Sequence, residues 1–379
     1  MKKLLLWLLI LMIGVSMVAA FSLAGCKTTA AAATTTAAAA TTTAAAATTT
    51  AAAATTTAAA AETTKAAKGY TIAFIAKLDG IPYFIASEKG AKEAANELGD
   101  KLIFQSPANP VAEDQIKIID SFITQKVDGI AISADDLDAL VPVCKKALDA
   151  GAKVISWDSG VAKEGTLLFI SPADNELVGR IEVQTLAEEI NYEGEIAILS
   201  TTPETANQNL WIEVMKEELK DPKYAKMKLV STVYGNDQSE KNYQEVTGLL
   251  KTYPNLKGII SPTSSGPPSV SRVLEDQKLN GKIAVTGLAL PSAMTDYMLD
   301  GTCKKVFIWN PIDFGYMAEY VTHLLISGEL KGNVGEEFKA GRLGMSKIVV
   351  DDPVLGPTVI LGPPLELTKD NVAEMAKTF

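Results

Sequence analysis

The chain has 379 residues and a formal net charge of −10, with 45 acidic and 35 basic side chains. This length allows two or three domains of ordinary size. The acidic balance argues against nucleic acid and anionic membrane surfaces as partners.

Residues 1–25 have the organisation of a lipoprotein signal peptide. Two lysines precede a long apolar stretch, and the segment ends in Leu23-Ala24-Gly25-Cys26. This ending resembles a bacterial lipobox, in which the peptide is cut before the cysteine and the cysteine carries lipid. We therefore expect Cys26 to anchor the protein to the outer face of the cytoplasmic membrane, in the cell envelope. An uncleaved membrane helix is the alternative.

Residues 26–69 are dominated by repeated AAAATTT blocks. The repeat suggests a coiled coil, but no Leu, Ile or Val occupies a seam and Thr is a poor helix former. With almost no apolar surface to bury, the segment cannot offset its conformational entropy. We expect a disordered stalk that follows the lipidated Cys26, with a partly helical tether as the alternative.

From residue 70 to residue 379, apolar runs alternate with amphipathic helical patterns, which predicts an α/β fold with parallel sheets flanked by helices. The strands are too numerous for one small sheet, so we expect two lobes. Predicted crossovers near residue 172 and in the ranges 287–291 and 309–313 give lobe 1 about 70–172 and 288–312, and lobe 2 about 173–287 and 313–379. The predicted strands are Thr71–Ala76, Leu102–Phe104, Gly129–Ser133, Val154–Trp157, Leu167–Ile170, Glu195–Leu199, Leu229–Val233, Gly258–Ser261, Lys282–Gly287, Val306–Trp309 and Thr358–Leu361.

Several of these strands end in polar or aromatic residues. Ligands of open α/β sheets bind beyond the carboxyl ends of the strands, so these strand ends predict a cleft. Amides and carboxylates bind hydroxyl groups, and an aromatic ring covers the apolar face of a sugar. The cleft is therefore expected to bind a small neutral sugar. The candidate ligand-binding residues are Lys77, Phe84, Asp135, Asp158, Asn207, Gln208, Pro262, Ser264, Trp309 and Asn310.

These candidates also have simpler structural interpretations. Lys77 and Asp158 could form a surface ion pair, which would contribute little. Asp135, with its neighbour, could cap a helix that starts at Leu137. Trp309 could be a packing residue. The sequence alone leaves these alternatives open.

Motifs for catalysis and metal binding point away from an enzyme. The chain has no G-x-S-x-G elbow, no phosphate loop, no H-E-x-x-H and no dinucleotide fingerprint, so we expect no enzyme and no cofactor. A hydrolase using Asp79 and Asp158 is the weaker alternative. Cys144 and Cys303 are expected to be buried thiols rather than a bridge. The single histidine, His323, lacks metal-ligand spacing and is expected to be structural, with no metal site.

The order of several segments resembles the periplasmic binding proteins of sugar ABC importers. The resemblance covers Tyr70–Phe379 and is most specific to the branch that holds rhamnose-binding and autoinducer-2-binding proteins. It implies a two-lobed type I (LacI-like) fold with three hinge crossovers. It also implies a monomer that captures a small sugar by lobe closure and delivers it to an ABC permease with its ATPase. The segments are KLDGIPYF, VISWDSG, TTPETANQNLW, SPTSSGPPS, GLALPSAM and FIWNPIDFGY.

The resemblance also implies which residues hold the ligand. The autoinducer-2 receptors use a Lys, the Asp of a Trp-Asp pair, an adjacent Asp-Gln and a Pro-x-Ala. Asn207 stands where that family has Asp, and Ser264 stands where it has Ala. These two departures favour a differently hydroxylated ring such as rhamnose. The residues that match the family are Lys77, Asp158, Gln208 and Pro262.

Two other functions fit a two-lobed sugar-binding chain. A receptor could sense the sugar and pass the closed state to a signalling partner. A cytoplasmic sugar-responsive repressor shares the two-lobed core, but it needs a DNA-binding helix-turn-helix before the first lobe. This chain has the lipobox and the Ala/Thr stalk at that place.

Overall fold

The computed structural model describes residues 69–379. The predicted signal peptide, Cys26 and nearly all of the predicted stalk lie outside the described residues. Among the described residues, no helix is both long enough and apolar enough to cross a membrane. All strands and both hydrophobic cores described below lie within residues 69–379, which we call the folded unit.

Each strand predicted from the sequence is present in the folded unit, with its ends shifted by a few residues. Three further strands, β11, β12 and β14 below, were not predicted, because their side chains are mostly exposed and form no continuous apolar run. The strands are β1 Thr71–Ile75, β2 Lys101–Gln105, β3 Gly129–Ile132, β4 Lys153–Trp157, β5 Phe169–Ser171, β6 Glu193–Ser200, β7 Lys226–Tyr234, β8 Leu256–Ser261, β9 Ala284–Gly287, β10 Lys305–Ile308, β11 Glu337–Lys339, β12 Met345–Asp352, β13 Gly356–Ile360 and β14 Leu365–Thr368.

Most helices begin shortly after a strand ends, so the connecting loops are short. Five of the helices have a proline in the first two positions, where its missing N–H costs no hydrogen bond. The helices are α1 Pro82–Leu98, α2 Ala112–Gln125, α3 Val141–Asp149, α4 Asn175–Glu189, α5 Ala206–Glu218, α6 Ser239–Thr252, α7 Gly266–Asp276, α8 Pro291–Leu299, α9 Pro311–Ser327 and α10 Val372–Met375.

The first sheet has the strand order β11-β12-β13-β5-β4-β3-β1-β2. Its strands from β13 to β2 are parallel, whereas β12 and β11 pair antiparallel at the edge. Side chains of β1 alternate between two cores: Phe74 faces one, and Ala73 and Ile75 face the other. Burial on both faces explains why these strands are uninterrupted apolar runs.

The second sheet has the order β7-β6-β8-β9, with all strands parallel. A two-stranded antiparallel ladder of β10 and β14 continues it, joined through a bridge between Leu288 and Phe307. Helices α4, α6 and α7 pack against this sheet, and α5 packs on α4. The predicted architecture of two sheets flanked by helices is therefore present, with antiparallel additions at the edges.

The chain crosses between the two sheets at residues 172–174, 309–310 and 361–364. The expected crossover between 287 and 291 is wrong, because α8 and β10 stay with the second sheet. Lobe 1 is therefore 70–171 with 311–360, and lobe 2 is 175–308 with 365–379. The predicted placement of 288–312 in lobe 1 and of 313–379 in lobe 2 is corrected accordingly. Helix α9 is apolar on nearly every face, so its periodicity could not indicate which sheet it covers.

Helix α9 packs along α1 at very close range. A Cβ atom built on Gly90 would lie 1.7 Å from the carbonyl oxygen of Ile312, and one built on Gly315 would lie 1.9 Å from that of Ser87. The two glycines therefore let the helix backbones touch. This contact matters for the site described below, because Tyr83 and Phe84 lie in the first turn of α1.

Cys144, Cys303 and His323 have the structural roles that were expected. Cys144 and Cys303 are buried free thiols. Burial raises the pKa of Cys144 to about 12, which keeps its thiol protonated and unreactive. His323 lies in α9, and its Nδ1 is 2.6 Å from Asp100 Oδ2. Its ring also packs edge-to-face on Tyr70, with centroids 5.1 Å apart.

Candidate functional site

A cavity lies between the lobes, at the carboxyl ends of strands from both sheets. Its volume is about 30 Å³, which is room for only a few water molecules. A larger molecule needs the lobes to lie further apart than they do in this arrangement. The cavity is lined by Lys77, Ile81, Tyr83, Phe84, Asp158, Asn207, Gln208, Trp211, Asp237, Pro262, Thr263, Ser264, Leu288, Ile308 and Trp309.

Lobe 1 contributes a buried ion pair between Lys77 and Asp158. The Lys77 Nζ lies 3.4 Å from Asp158 Oδ2, and both side chains are only 4% exposed. Tyr83 OH donates to Asp158 Oδ1 at 3.2 Å, and Ser133 Oγ donates to Oδ2 at 2.9 Å. The alternative of a surface ion pair is therefore wrong. A buried pair of this kind is tolerated because further hydrogen bonds satisfy the carboxylate.

The backbone at Asp158 turns the carboxylate toward the cavity. Its φ is +62°, a left-handed conformation that Asp adopts more readily than most residues. Burial and the neighbouring Asp158 raise the pKa of Tyr83 well above 10. Tyr83 therefore remains a neutral hydrogen-bond donor at physiological pH.

Lobe 2 contributes two amides from the first turn of α5. Asn207 Oδ1 accepts a hydrogen bond from the backbone N–H of Gln208 at 2.9 Å, which fixes the Asn207 side chain. Gln208 is 3% exposed, and its Oε1 has no hydrogen-bond partner among the described residues. The Gln208 side chain thus presents an open acceptor at the cavity. The third amide, Asn209, donates to the Pro203 carbonyl and does not line the cavity.

Asp237, which sequence reasoning missed, is the second carboxylate of the cavity. Thr201 Oγ1 donates to its Oδ2 at 2.9 Å, and Ser265 Oγ donates to its Oδ1 at 2.9 Å. Thr263 Oγ1 donates to the same Oδ1. Three hydroxyl donors thus hold a carboxylate beside Thr263 in the lining. The available signal was its position just beyond β7, the same strand-end pattern that identified Lys77.

Trp309 occupies a crossover and contacts both lobes. Its Nε1 donates to Tyr83 OH at 2.7 Å, and its ring centroid lies 6.1 Å from that of Trp211 in lobe 2. Tyr83 and Trp211 were not predicted as site residues, although both lie beside predicted ones. Trp309 combines packing with a place in the cavity wall, where an aromatic face suits the apolar side of a sugar ring.

Asn310 was predicted as a ligand residue, but the structure places it outside the cavity lining. Its Oδ1 accepts from the backbone N–H groups of Ile312 and Asp313, at 2.9 and 3.3 Å. Its Nδ2 donates to Asp313 Oδ2 at 2.9 Å. The side chain is thus used as the N-cap of α9, which is a common role for Asn.

Asp135 also lies outside the lining, although it is near the cavity. It is 3% exposed, and neither carboxylate oxygen has a hydrogen-bond partner among the described residues. Burial raises its pKa from 3.8 to about 8, with Lys77 opposing and Asp237 reinforcing the shift. The expected helix start at Leu137 is wrong, since α3 begins at Val141. Asp135 is therefore a buried carboxyl and neither a cap nor a lining residue.

Asp135→Asn is expected to remove one component of the pH dependence of stability. Between pH 3.8 and about 8 the folded unit holds a proton on Asp135 that the unfolded chain releases. The free energy of unfolding therefore falls with rising pH across this window, by about 1.4 kcal/mol per pH unit. Above and below the window both states carry the same charge on Asp135, so it contributes no slope.

Urea denaturation of the folded unit and of Asp135→Asn at pH 5, 6, 7 and 8 measures this difference. The variant should gain stability relative to the wild type as the pH rises. Replacement of the exposed Asp149 by Asn should give no such trend. Parallel pH profiles for the wild type and Asp135→Asn would contradict the prediction.

Taken together, the cavity offers one ammonium, two carboxylates, two amides, hydroxyls and aromatic faces. These groups come from both lobes. The carboxylates already accept hydrogen bonds from neighbouring hydroxyls, and Asp158 also forms an ion pair with Lys77. Such a set of donors and acceptors suits a neutral, hydroxyl-rich ligand. A ligand lacking one matched hydroxyl would leave a buried group unpaired, at a cost of about 1–3 kcal/mol.

Comparison with known protein families gives one match that covers more than half of the chain. A family model described as a periplasmic binding protein domain matches residues 72–330. A curated relative is the D-ribose/D-allose-binding protein of Pseudomonas aeruginosa. It is 28% identical over 241 residues, which are 61% of this chain and 74% of the relative.

Comparison with solved structures gives close matches to the whole folded unit. An ABC transporter solute-binding protein from Clostridium phytofermentas with bound L-rhamnose matches with a TM-score of 0.81 and 34% identity, over 83% of this chain and 100% of that chain. LsrB from Clostridium saccharobutylicum in complex with AI-2 (autoinducer-2) matches with a TM-score of 0.76 and 24% identity, over 80% and 99%. The second likeness concerns the fold alone. The predicted family resemblance and fold class are confirmed.

Proposed function

Because this chain belongs to the periplasmic binding protein domain family, we propose that it captures a small neutral sugar by lobe closure and delivers it to the permease of an ABC importer. The relatives named above are a sugar-binding protein and a solute-binding protein of an ABC transporter. They favour a binding protein over an enzyme and import over sensing. No chemistry is done on the sugar.

The observation that carries the proposal is the buried Lys77–Asp158 pair of lobe 1 facing the open Gln208 acceptor of lobe 2 across one cavity. Ligand hydroxyls that contact both lobes would bind the closed state more tightly than the open state. Such differential affinity is what shifts a hinge-bending equilibrium toward closure. The proposed ligand residues are Lys77, Phe84, Asp158, Asn207, Gln208, Pro262, Ser264 and Trp309, with Tyr83, Trp211, Asp237 and Thr263 added.

For the ligand, we favour a rhamnose-like deoxyhexose over autoinducer-2. Asn207 and Ser264, the two departures from the autoinducer-2 pattern, both line the cavity. Asn in place of Asp removes a charge and adds a donor, and Ser264 adds a hydroxyl. The relative with bound L-rhamnose is 34% identical, which supports the same choice.

For location, we propose that the mature chain is a lipoprotein. Cys26 of the lipobox would carry the lipid on the outer face of the cytoplasmic membrane, and residues 27–69 would separate the folded unit from that surface. We propose that the folded unit acts as a monomer and that its closed form docks on the permease. A closed form buries the sugar contacts of both lobes, which gives the permease a means to recognise the loaded state.

Calorimetry on the folded unit tests the ligand. The solved chain from Clostridium phytofermentas is matched over its whole length by 83% of this chain, so a chain of about the extent of the folded unit is folded on its own there. We expect L-rhamnose to bind in the micromolar range or tighter, and D-ribose, D-xylose and autoinducer-2 at least tenfold more weakly. Binding of none of these sugars, or turnover of any of them, would refute the proposal.

A further inference from the structure

A second cavity adjoins the one described above. Its volume is about 340 Å³, which lies in the range of small-molecule sites. Its walls are mainly apolar, and we call it the side chamber. The principal apolar residues of the side chamber are Leu137, Phe169, Ala206, Leu210, Val354 and Leu355.

The side chamber and the sugar cavity share a wall. Asn207 lines both cavities. Beside it, Trp211 Nε1 donates to Asn175 Oδ1 at 2.8 Å, with Trp211 in the sugar cavity and Asn175 in the side chamber. The chain also passes from one cavity to the other between Asp158 and Gly160. A ligand that contacts both cavities would have to pass beside Asn207 and the Trp211–Asn175 hydrogen bond, which lie between them.

The side chamber is formed by both lobes. Leu137, Gly160 and the tip of the β12–β13 hairpin come from lobe 1, whereas Ala206 and Leu210 come from α5 in lobe 2. The hairpin tip is well fixed: Asp352 Oδ1 accepts from the backbone N–H groups of Val354 and Leu355, both at 2.8 Å. The chamber therefore depends on how the two lobes lie against each other, and it has this shape in the arrangement described here.

Gly160 lets the hairpin tip approach the shared wall. A Cβ atom built on Gly160 would lie 2.3 Å from Leu355 Cδ2, so any larger residue there would displace that leucine. Leu355 is 8% exposed, which makes it the buried floor of the chamber. At the opposite side Leu210 and Val354 are 38% and 46% exposed, so the chamber opens to solvent there.

We propose that the binding site accepts a sugar carrying an apolar substituent, with the sugar ring in the cleft and the substituent in the side chamber. The inference rests on the proposed function and narrows its substrate class to glycosides with an aryl or alkyl group. Three observations support an apolar substituent in the side chamber. They are the volume of the chamber, its apolar walls and the residue Asn207, which it shares with the sugar cavity. The opening at Leu210 and Val354 leaves room for longer substituents.

Asn207 also bears on this occupant, because it lies at the boundary between the two cavities. A buried carboxylate beside an apolar chamber would be costly, since an unpaired charge is far more expensive to desolvate than an amide. The Asn207 amide is neutral and already uses its Oδ1 within α5. Its Nδ2 remains as a donor for the glycosidic oxygen at the boundary between ring and substituent.

The test is calorimetry of the folded unit with L-rhamnose, methyl α-L-rhamnoside and phenyl α-L-rhamnoside. We expect the phenyl glycoside to bind at least as tightly as the free sugar. Ala206→Phe, which fills the chamber, should weaken phenyl glycoside binding at least tenfold and change L-rhamnose binding less than threefold. Leu210 is partly exposed, so we expect the Leu210→Asp variant to fold. This variant should also weaken binding of the phenyl glycoside more than binding of L-rhamnose.

One control variant and three contrary results distinguish an error about the side chamber from an error about the sugar site. Ala373→Phe, at an exposed position on α10, should leave binding of all three probes unchanged. Binding of L-rhamnose with at least a hundredfold loss for phenyl α-L-rhamnoside would overturn the side chamber and leave the sugar site intact. Equal effects of Ala206→Phe on both probes would overturn it as well. Failure of all three probes would overturn the rhamnose assignment, and the inference with it.

Discussion

Asp158→Asn is expected to raise the dissociation constant for the sugar at least about 100-fold, since loss of one partner of a buried, hydrogen-bonded ion pair costs about 2–5 kcal/mol. In the closed state Lys77 is almost fully buried, and Asp158 is the anionic partner 3.4 Å away. In an open state water can solvate the Lys77 ammonium. The substitution therefore destabilises the closed state relative to the open state, and the closed state is the one that holds the ligand.

The experiment is calorimetry of the folded unit at pH 6, with the sugar that binds most tightly in the calorimetry proposed above. At this pH Asp135, whose pKa is about 8, is protonated and cannot replace the lost charge beside Lys77. The matched control is Asp120→Asn. It breaks the exposed pair with Lys146, whose atoms are 2.8 Å apart, and should change affinity less than twofold. A dissociation constant for Asp158→Asn within threefold of the wild type would show that the pair is not part of the sugar site.

Gly90→Ala is expected to lower the free energy of unfolding by about 3 kcal/mol or more, because its new methyl group collides with backbone rather than with a movable side chain. The Cβ atom would lie 1.7 Å from the carbonyl oxygen of Ile312, so α1 and α9 would have to separate. Separation of these helices opens the core beneath Trp157 and Phe314. It also displaces the start of α1, where Tyr83 contacts Asp158.

Gly248→Ala is the matched control for this prediction. Gly248 also lies within a helix, α6, but a Cβ atom there would have nothing within 4 Å. This substitution should stabilise the folded unit by about 0.5–1 kcal/mol, since Ala is the better helix former. Urea denaturation of both variants should thus give changes of opposite sign. Similar stabilities for both variants would mean that α1 and α9 do not approach as closely as described.

The sequence predicted much of the cavity lining because each relevant residue follows a readable local pattern. Asp158 directly follows an apolar strand, Lys77 follows one after a single residue, and Gln208 follows one after a short loop. Parallel strands in a sheet bring their carboxyl ends to the same edge, so local order was enough to place these residues together. Asp135 satisfies the same pattern, yet its side chain lies behind the lining. Strand-end position predicts nearness to a cleft but not the direction of a side chain.

The lobe assignment was less predictable because it depends on long-range pairing. Helix α9 is buried on nearly every face, and nothing in its periodicity distinguishes one sheet from the other. The pair Gly90 and Gly315 could have signalled a close helix crossing, but only together with knowledge that the two helices meet. β14 is half exposed and carries no alternation strong enough to reveal its partner β10.

The three crossovers have a consequence for how the chain folds. β13 must return to pair with β5, and β14 must return to pair with β10, so each lobe is completed by a segment from late in the chain. Contacts between distant segments carry a large loop-closure entropy and slow the folding reaction. The first sheet cannot be complete before β13 has been synthesised, and the β10–β14 ladder of the second lobe cannot form before β14 has been synthesised. Both lobes are therefore expected to complete folding late and together, as one cooperative event.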